Sequence, residues 1–368
     1  MVSDRVTAWP GPTRGFVIAT TQALQAALPS IRAAEWIALD TEADSLHAYP
    51  EKLCLLQLSL PGQDLLIDPL APIEIGQLFG ALAGRELILH GADYDLRLLY
   101  RTNGFKPAAI FDTMWAARLL GETEFGLDAL VARHLGVQLE KGGQKLNWAQ
   151  RPLTPRMEEY ARNDTHYLFP LAAKLRAELI AKDRLAWVEQ LCAQSILECA
   201  SIRPVDPDRV WRIRGSDRLD LRGLAVLKEL WQWREGEAVA RNRPPYFVMS
   251  HENLVALADA AARERPVNSL LPRFRTSREQ EKFSRCLDGA LKLSPEDYPR
   301  RIRHPRGRGL TQEENQRFES ITRQRDQKAK ELEIDPTLIA SRATLIQLAQ
   351  NWQICAPTLL PWQRELLE

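Results

Sequence analysis

Two acids one residue apart, Asp40 and Glu42, close the apolar run at residues 36–39 in the stretch WIALDTEADSL. On a strand, side chains alternate faces, so both carboxylates project to the same side, roughly 7 Å apart. Carboxylates that close repel unless a basic side chain, a shared proton or a divalent cation preferring oxygen ligands, such as Mg²⁺ or Mn²⁺, lies between them. Asp-x-Glu alone is a frequent pattern on surface strands. Further acids follow, however. LILHGADYDLRLLY brings Asp93 and Asp95 into the loop and first helical turn after another apolar strand, where a carboxylate can swing back over the strand ends. EYARNDTHYL then puts Tyr160 and Asp164 four apart, on one helix face. Taken singly, Asp93, Asp95 and Asp164 fit capping or solvent exposure, since acids are common at helix starts.

The elements that must position these groups can be read from periodicity. Between residues 16 and 100, short apolar runs (FVIATT, EWIALDTE, LCLLQLSL, DLLIDPL, ELILH) alternate with amphipathic stretches such as TQALQAALPSIRAA. That is the pattern of strands with helices packed around them. CLLQLSLPGQDLLIDPL predicts a hairpin turning at Pro61, Gly62 and Gln63. From about residue 92 the pattern is helical; FDTMWAARLLG and GLDALVARHLG each end at a glycine, the expected helix stop. In LTPRMEEYARNDTHYLFPLAAKLRAELIAKD, Thr154 is the expected N-cap, Pro155 the first helical residue, and Pro170 the point of a kink or break. ASIRPVDPDRV and SPEDYPRRIRHPRGRG read as linkers. Between and after them lie two helix–turn–helix stretches of loosely similar plan.

With 368 residues, 45% hydrophobic and 26% charged, the chain is a soluble globular type expected to hold two or three domains. No apolar stretch reaches the roughly 20 residues that span a bilayer, and no signal-peptide pattern opens the chain, so a cytoplasmic location is expected. Cys54, Cys192, Cys199, Cys286 and Cys355 are scattered, without C-x-x-C pairs, and read as reduced structural thiols. Residues 201–310 carry 23 Lys and Arg against 15 Asp and Glu, a surplus of +8, leaving −7 for the remainder. A basic middle segment beside an acidic remainder fits a polyanion-binding module next to a region that gathers carboxylates, or equally an Arg-rich solvated surface.

In this order, Asp-x-Glu, then Asp after a strand, then Tyr-x-x-x-Asp resembles the DEDD superfamily of 3′ to 5′ exonucleases, in its tyrosine-bearing branch. The histidine branch would carry His five residues before the last acid, where Glu159 stands. WIALDTE, LLQLS, LLIDPL, FDTMWAARLLG, RPLT and YARNDTHYL narrow the resemblance to the ribonuclease D family and its nuclear exosome relatives, over residues 16–185. Residues 211–295, through LAVLKELWQWREGEAVARNRPPYFVMSHENLVALA, resemble the HRDC domain, a helical nucleic-acid-binding module also found in RecQ helicases. Residues 311–368 are similar to a second, more divergent HRDC-like unit. The resemblance implies an α/β (α+β) ribonuclease H-like exonuclease domain at 1–200, its central mixed sheet flanked by helices. Two small all-α HRDC-like domains would follow, at 209–298 and 310–368.

The same resemblance carries Asp40, Glu42, Asp95 and Asp164 over as ligands of two divalent cations, Mg²⁺ or Mn²⁺, and Tyr160 as the residue that orients the attacking water. Asp93 lies off the motif and reads as a helix cap; His90 and His166 read as structural. The implied partner is RNA with a free 3′ end, such as a precursor of transfer RNA, with no membrane and no nucleotide cofactor. A DNA exonuclease and a catalytically silent RNA-binding scaffold are the alternatives; the chain lacks G-x-x-x-x-G-K-[ST]. Lys145, Trp148 and Arg151 form a cation–aromatic–cation set suited to a terminal phosphate or base. Family sequences usually carry an acid before this Trp, where Asn147 stands. Arg234, Arg241 and Arg243, interleaved with Trp231, Trp233, Tyr246 and Phe247, combine charge with aromatic faces, although a small helical domain also needs large apolar anchors. Arg300, Arg301, Arg303, Arg306 and Arg308 lie in the second linker.

Overall fold

The computed structural model describes residues 9–13, 15–201, 206–302 and 308–368. Thr20 accepts a hydrogen bond from the Ala23 N–H and starts α1 (Thr21–Ala33), which buries Leu24, Leu28 and Ile31 at helical spacing. Five strands follow: β1 (Ala38–Ala43), β2 (Leu53–Leu60), β3 (Gln63–Ile67), β4 (Glu86–Leu89) and β5 (Ala109–Asp112). They form one mixed sheet in the order β3-β2-β1-β4-β5, antiparallel on the β3-β2-β1 side and parallel from β1 to β5. Every residue of β2 is buried, because both of its faces are covered. Leu56, Leu58 and Leu60 join the main core, whereas Leu55 packs with Trp148, Met157 and Ala161 in a second cluster beneath the opposite face.

Around the sheet lie α2 (Gly76–Leu82), α3 (Asp93–Asn103), α4 (Thr113–Leu119), α5 (Leu127–Leu135), α6 (Pro155–His166), α7 (Leu168–Ala181) and α8 (Leu185–Cys199). The expected strand at FVIATT reduces to one parallel bridge, Ile18 to Ile67, because Thr20 already serves as the α1 cap. β5 lies inside the stretch expected to be wholly helical: four residues pairing a buried edge carry too little periodicity to be separated from the helix that follows. The hairpin turn is Pro61-Gly62 alone, since Gln63 pairs with Leu60 as the first residue of β3. Thr154 and Pro155 begin α6 as expected, but the interruption falls at Tyr167. Pro170 sits in the first turn of α7, where its missing N–H leaves no bond unmade.

The chain divides into two compact units. Beyond the elements above, the first contains α13 (Gln312–Leu332), α14 (Pro336–Ile339), α15 (Arg342–Gln350), α16 (Trp352–Cys355) and α17 (Pro361–Leu367). These C-terminal helices share the main core. Trp187 of α8 stacks on Trp362 of α17 at 4.7 Å, and Arg184 donates to the carbonyls of Leu119 and Leu332. Contact is close enough at Gly121 (φ 91°) that a Cβ there would stand 2.2 Å from the Glu333 carbonyl oxygen. The second unit comprises residues 44–52 and the described part of 203–307, with α9 (Leu221–Arg241), α10 (Pro245–Val248), α11 (His251–Ala262) and α12 (Ser277–Leu291). Trp211, Leu224, Leu227, Leu230, Leu254, Leu257 and Phe283 form its separate core. All five cysteines are free thiols. Among the described residues no helix is long and apolar enough to cross a membrane.

Candidate active site

On β1, Asp40 lies opposite Gln57 of β2 and Glu42 opposite Leu55, so both acids project to the face on which α6 packs. From α6, Tyr160 and Asp164 face them one turn apart, with the Tyr160 hydroxyl donating to the Asp164 carboxylate. Asp40, Glu42 and Asp164 each place one carboxylate oxygen within 4.8 Å of the other two. Asp95, buried in the first turn of α3, stands beside this triad; its Oδ1 accepts from the Thr41 hydroxyl at 2.5 Å. All five side chains line one cleft of about 490 Å³, together with His90, Asp128, Lys141 and Gln144.

Groups outside the motif fix this geometry. Asp112, at the end of β5, accepts from the backbone N–H groups of Gly91 and Ala92, both at 2.9 Å, and from Met114 at 2.8 Å, tying the β4–α3 turn that delivers Asp95. His90 Nδ1 lies 2.9 Å from the Thr113 hydroxyl, and burial holds its pKa below the usual histidine value. Nothing in the spacing singles out Thr41 or Asp112 as supports. The signal for Asp112 would have been an acid directly before a helix start, in FDTMW.

Burial and mutual repulsion dominate the electrostatics of these acids. Burial, then the neighbouring carboxylates Asp95, Asp164 and Glu42, push Asp40 far above the ordinary carboxylate range. Burial followed by repulsion from Asp164 and Asp95 raises Glu42 to about 9, and burial with the Asp95 charge raises Asp164 to about 8 against the opposing Tyr160 hydrogen bond. Asp95 rises to about 7, chiefly through burial, with the Thr41 hydrogen bond opposing. Converging oxygen donors that resist ionising together fit a hard divalent cation: its charge offsets their repulsion, and carboxylate oxygens are its preferred ligands.

The other expected contacts fall differently. Trp148 is 1% exposed and packs against Tyr160, ring centroids 6.0 Å apart, so it offers no face to a base. Arg151 grips Asp68 through Nε and Nη2, at 2.5 and 2.7 Å, and donates to the carbonyls of Cys54 and Trp148. Lys145 is exposed. Arg234 is 2% exposed and pairs with Glu235, and Arg241 is held by Glu237 and Glu279, so both belong to the internal scaffold of the second unit. Trp231 and Trp233 pack against that unit's core. Arg243, by contrast, is exposed beside Phe247, and Tyr246 and Phe247 are also exposed.

Asp93 is not a cap. It is the first residue of α3 and pairs with Arg97 through both oxygens. His166 is structural, bonding Asp64 through Nδ1 and the Pro10 carbonyl through Nε2. Arg301 donates to the Leu219 carbonyl and Arg308 pairs with Glu314; Arg303 and Arg306 lie outside the described residues.

A mixed sheet presenting converging acids from β1, α3 and α6, with a tyrosine one turn before the last, defines a 3′–5′ exonuclease. Residues 16–180 match the family model described as 3'-5' exonuclease, and residues 223–265 match the HRDC domain. Among curated proteins, the chain is 34% identical to ribonuclease D of Zymomonas mobilis over 77% of its own length and 74% of that protein. It is 32% identical to ribonuclease D of Sphingobium indicum over 72% and 70%. Among solved structures it is similar to Escherichia coli RNase D, described as an exoribonuclease involved in structured RNA processing, at TM-score 0.72, with 28% identity and 96% of each chain covered. The chain belongs to the ribonuclease D family and is a hydrolytic, metal-dependent 3′–5′ exoribonuclease.

Proposed function

We propose that the chain shortens RNA from a free 3′ end, releasing nucleoside 5′-monophosphates one at a time. Asp40, Glu42, Asp95 and Asp164 would hold two divalent cations, Mg²⁺ or Mn²⁺. The observation that carries this reading is the convergence of Asp40, Glu42 and Asp164 oxygens within 4.8 Å, with Asp95 and Tyr160 on the same cleft. When bound, such cations stabilise the attacking and leaving oxygens of an in-line displacement and make water more acidic.

The chain's own residues supply positioning. Burial and the surrounding carboxylates push the Tyr160 phenol well above its ordinary pKa, so it keeps its proton and serves as a hydrogen-bonding group, not a base. Donating to Asp164, it leaves its oxygen lone pairs to hold the attacking water in line with phosphorus. The water oxygen gives up a proton to solvent and bonds to phosphorus as the bond to the 3′ oxygen breaks, and that oxygen takes up a proton from solvent. Asp95, fixed by Thr41, and Asp164, fixed by Tyr160, enter the reaction with their carboxylates already oriented.

Residues 1–200 would carry this chemistry, with residues 209–298 as an HRDC-like helical domain; residues 310–368, expected as a separate HRDC-like domain, instead pack their helices into the core of the sheet-bearing unit. Exposed Arg243, Tyr246 and Phe247 suit sequence-independent contact with phosphates and bases, as does exposed Lys145. The substrates proposed are structured RNAs with 3′ tails, transfer RNA precursors foremost, in the cytoplasm. The test is a time course on 5′-labelled RNA and matched DNA, with free or blocked 3′ ends, in Mg²⁺, Mn²⁺ or chelator, beside Asp40→Asn. Stepwise loss from free-ended RNA, stopped by chelator and by the variant, is expected. RNA binding without shortening would favour a silent scaffold, and equal loss of DNA a DNA exonuclease.

A further inference from the structure

Gly143 lies between Gly142 and Gln144, which line the cleft, within the short helical turn Gly143–Lys145, and it is buried. A Cβ at this position would stand 2.3 Å from Tyr160 Cδ1 and 2.4 Å from both Cδ2 and Cε1. Three ring atoms at nearly one distance put the Cα of Gly143 against the face of the phenol ring. Trp148 supports the same ring from another direction, at 6.0 Å between centroids. Lys141 anchors the loop by pairing with Asp128 at 2.6 Å.

Tyr160 therefore has little freedom to swing: backbone seats one face, an indole packs beside it, and its hydroxyl donates to Asp164. We infer that Gly143 is a positioning residue for the exonuclease reaction, setting the Tyr160 ring so that its hydroxyl stays on Asp164 and over the cleft. The inference rests on the water-orienting part given to Tyr160 above. Gly142 beside it has φ 106°, a conformation that itself favours glycine. Gly143 lies outside that left-handed region, so alanine there meets no backbone strain and its only cost is the contact with the ring.

Carbon atoms pack at about 3.5–4 Å, so the added methyl displaces the ring by roughly 1–2 Å. A displacement of that size at a positioned group lowers turnover by about 10²-fold. Gly143→Ala is therefore expected to lower kcat by about that factor while KM stays at the parent value and Mn²⁺ affinity, read by calorimetry, matches that of Tyr160→Phe. In a Tyr160→Phe background, which has already lost the hydroxyl, Gly143→Ala should add no further loss of kcat.

Additive losses in that double variant, or a Gly143→Ala protein with parental kcat, would overturn the inference while leaving the Tyr160 reading intact. Tyr160→Phe with parental kcat would overturn that reading, and this inference with it. Loss of Mn²⁺ binding in Gly143→Ala beyond that of Tyr160→Phe would assign the residue to the metal site instead. Should Gly143→Ala fail to melt cooperatively, the same substitution is placed in a Tyr160→Ala background, where the methyl has room. A restored melt supports the ring contact; continued failure overturns it.

Discussion

If the acids of β1, α3 and α6 are held together without a counter-charge, removing divalent cations should make stability fall steeply as pH rises. The folded chain holds Glu42 at about 9 and Asp164 at about 8, whereas in the unfolded chain they return to their ordinary values near 4. A carboxyl whose pKa is raised by folding favours the folded state while protonated there. That contribution is lost as pH rises from the unfolded value through the folded one. One such group over the window from about pH 6 to about pH 9 forfeits roughly 1.4 kcal/mol per pH unit, about 4 kcal/mol in all. At about 2 °C per kcal/mol for a chain of this size, the melting temperature should fall by about 8 °C. A cation bound among ionised acids cancels the effect, so the stabilisation by Mn²⁺ should grow with pH. Melting curves in chelator and in saturating Mn²⁺, at four pH values, measure both. Asp40→Asn, which removes one charge, should flatten the chelator slope and abolish nuclease activity together. Chelated and Mn²⁺-loaded proteins whose melting temperatures run parallel across pH would refute the argument, since the cluster would then carry no folding-linked protons.

Three other outcomes follow from residues outside the cluster. Trp148→Ala should destabilise the protein by about 3–5 kcal/mol in denaturant unfolding, because it empties a packed site, with no change in RNA affinity for the folded fraction. His166 is raised above its usual pKa: burial opposes, but hydrogen bonds to Asp64 and the Pro10 carbonyl prevail. Its contribution is therefore full below pH ~6.5 and lost as pH rises through the folded value, so His166→Asn should destabilise more at pH 6 than at pH 8, read by urea titration. Arg243→Ala with Tyr246→Ala should weaken RNA binding in equilibrium titrations and reduce its salt dependence, while single-turnover shortening at saturating RNA stays unchanged.

The strands and helices most legible in the sequence are those whose burial follows one period. In α1 the buried residues recur at three and four, and Thr20 announces its start. β2 reads as a strand from a mostly apolar run, but its Gln57 and Ser59 suggest a half-buried one, whereas every residue is buried because both faces are covered. β5 escaped because its four residues sit at an edge and flow directly into α4, where Asp112 ends the strand and caps the helix at once. Pro170 shows the converse. A residue that breaks helices in the middle is harmless in a first turn, and whether a proline lies in a first turn depends on where the preceding helix ended.

At the site, spacing carried what spacing can encode: two acids on one face of a strand, and a tyrosine and an acid one helical turn apart. What it left open is which polar side chains are satisfied internally. Arg151 and Arg241 have the composition of nucleic-acid contacts, yet each meets a carboxylate supplied from elsewhere in the chain: Asp68, 83 residues before Arg151, and Glu279 beside Arg241. Burying such a cation unpaired would be costly, so the fold that buries it must also bring the acid, and that pairing exists only in three dimensions. Trp148 follows the same logic with the opposite sign: its ring serves the seat of Tyr160, and the residue of that loop set against the same ring is one without a side chain, Gly143.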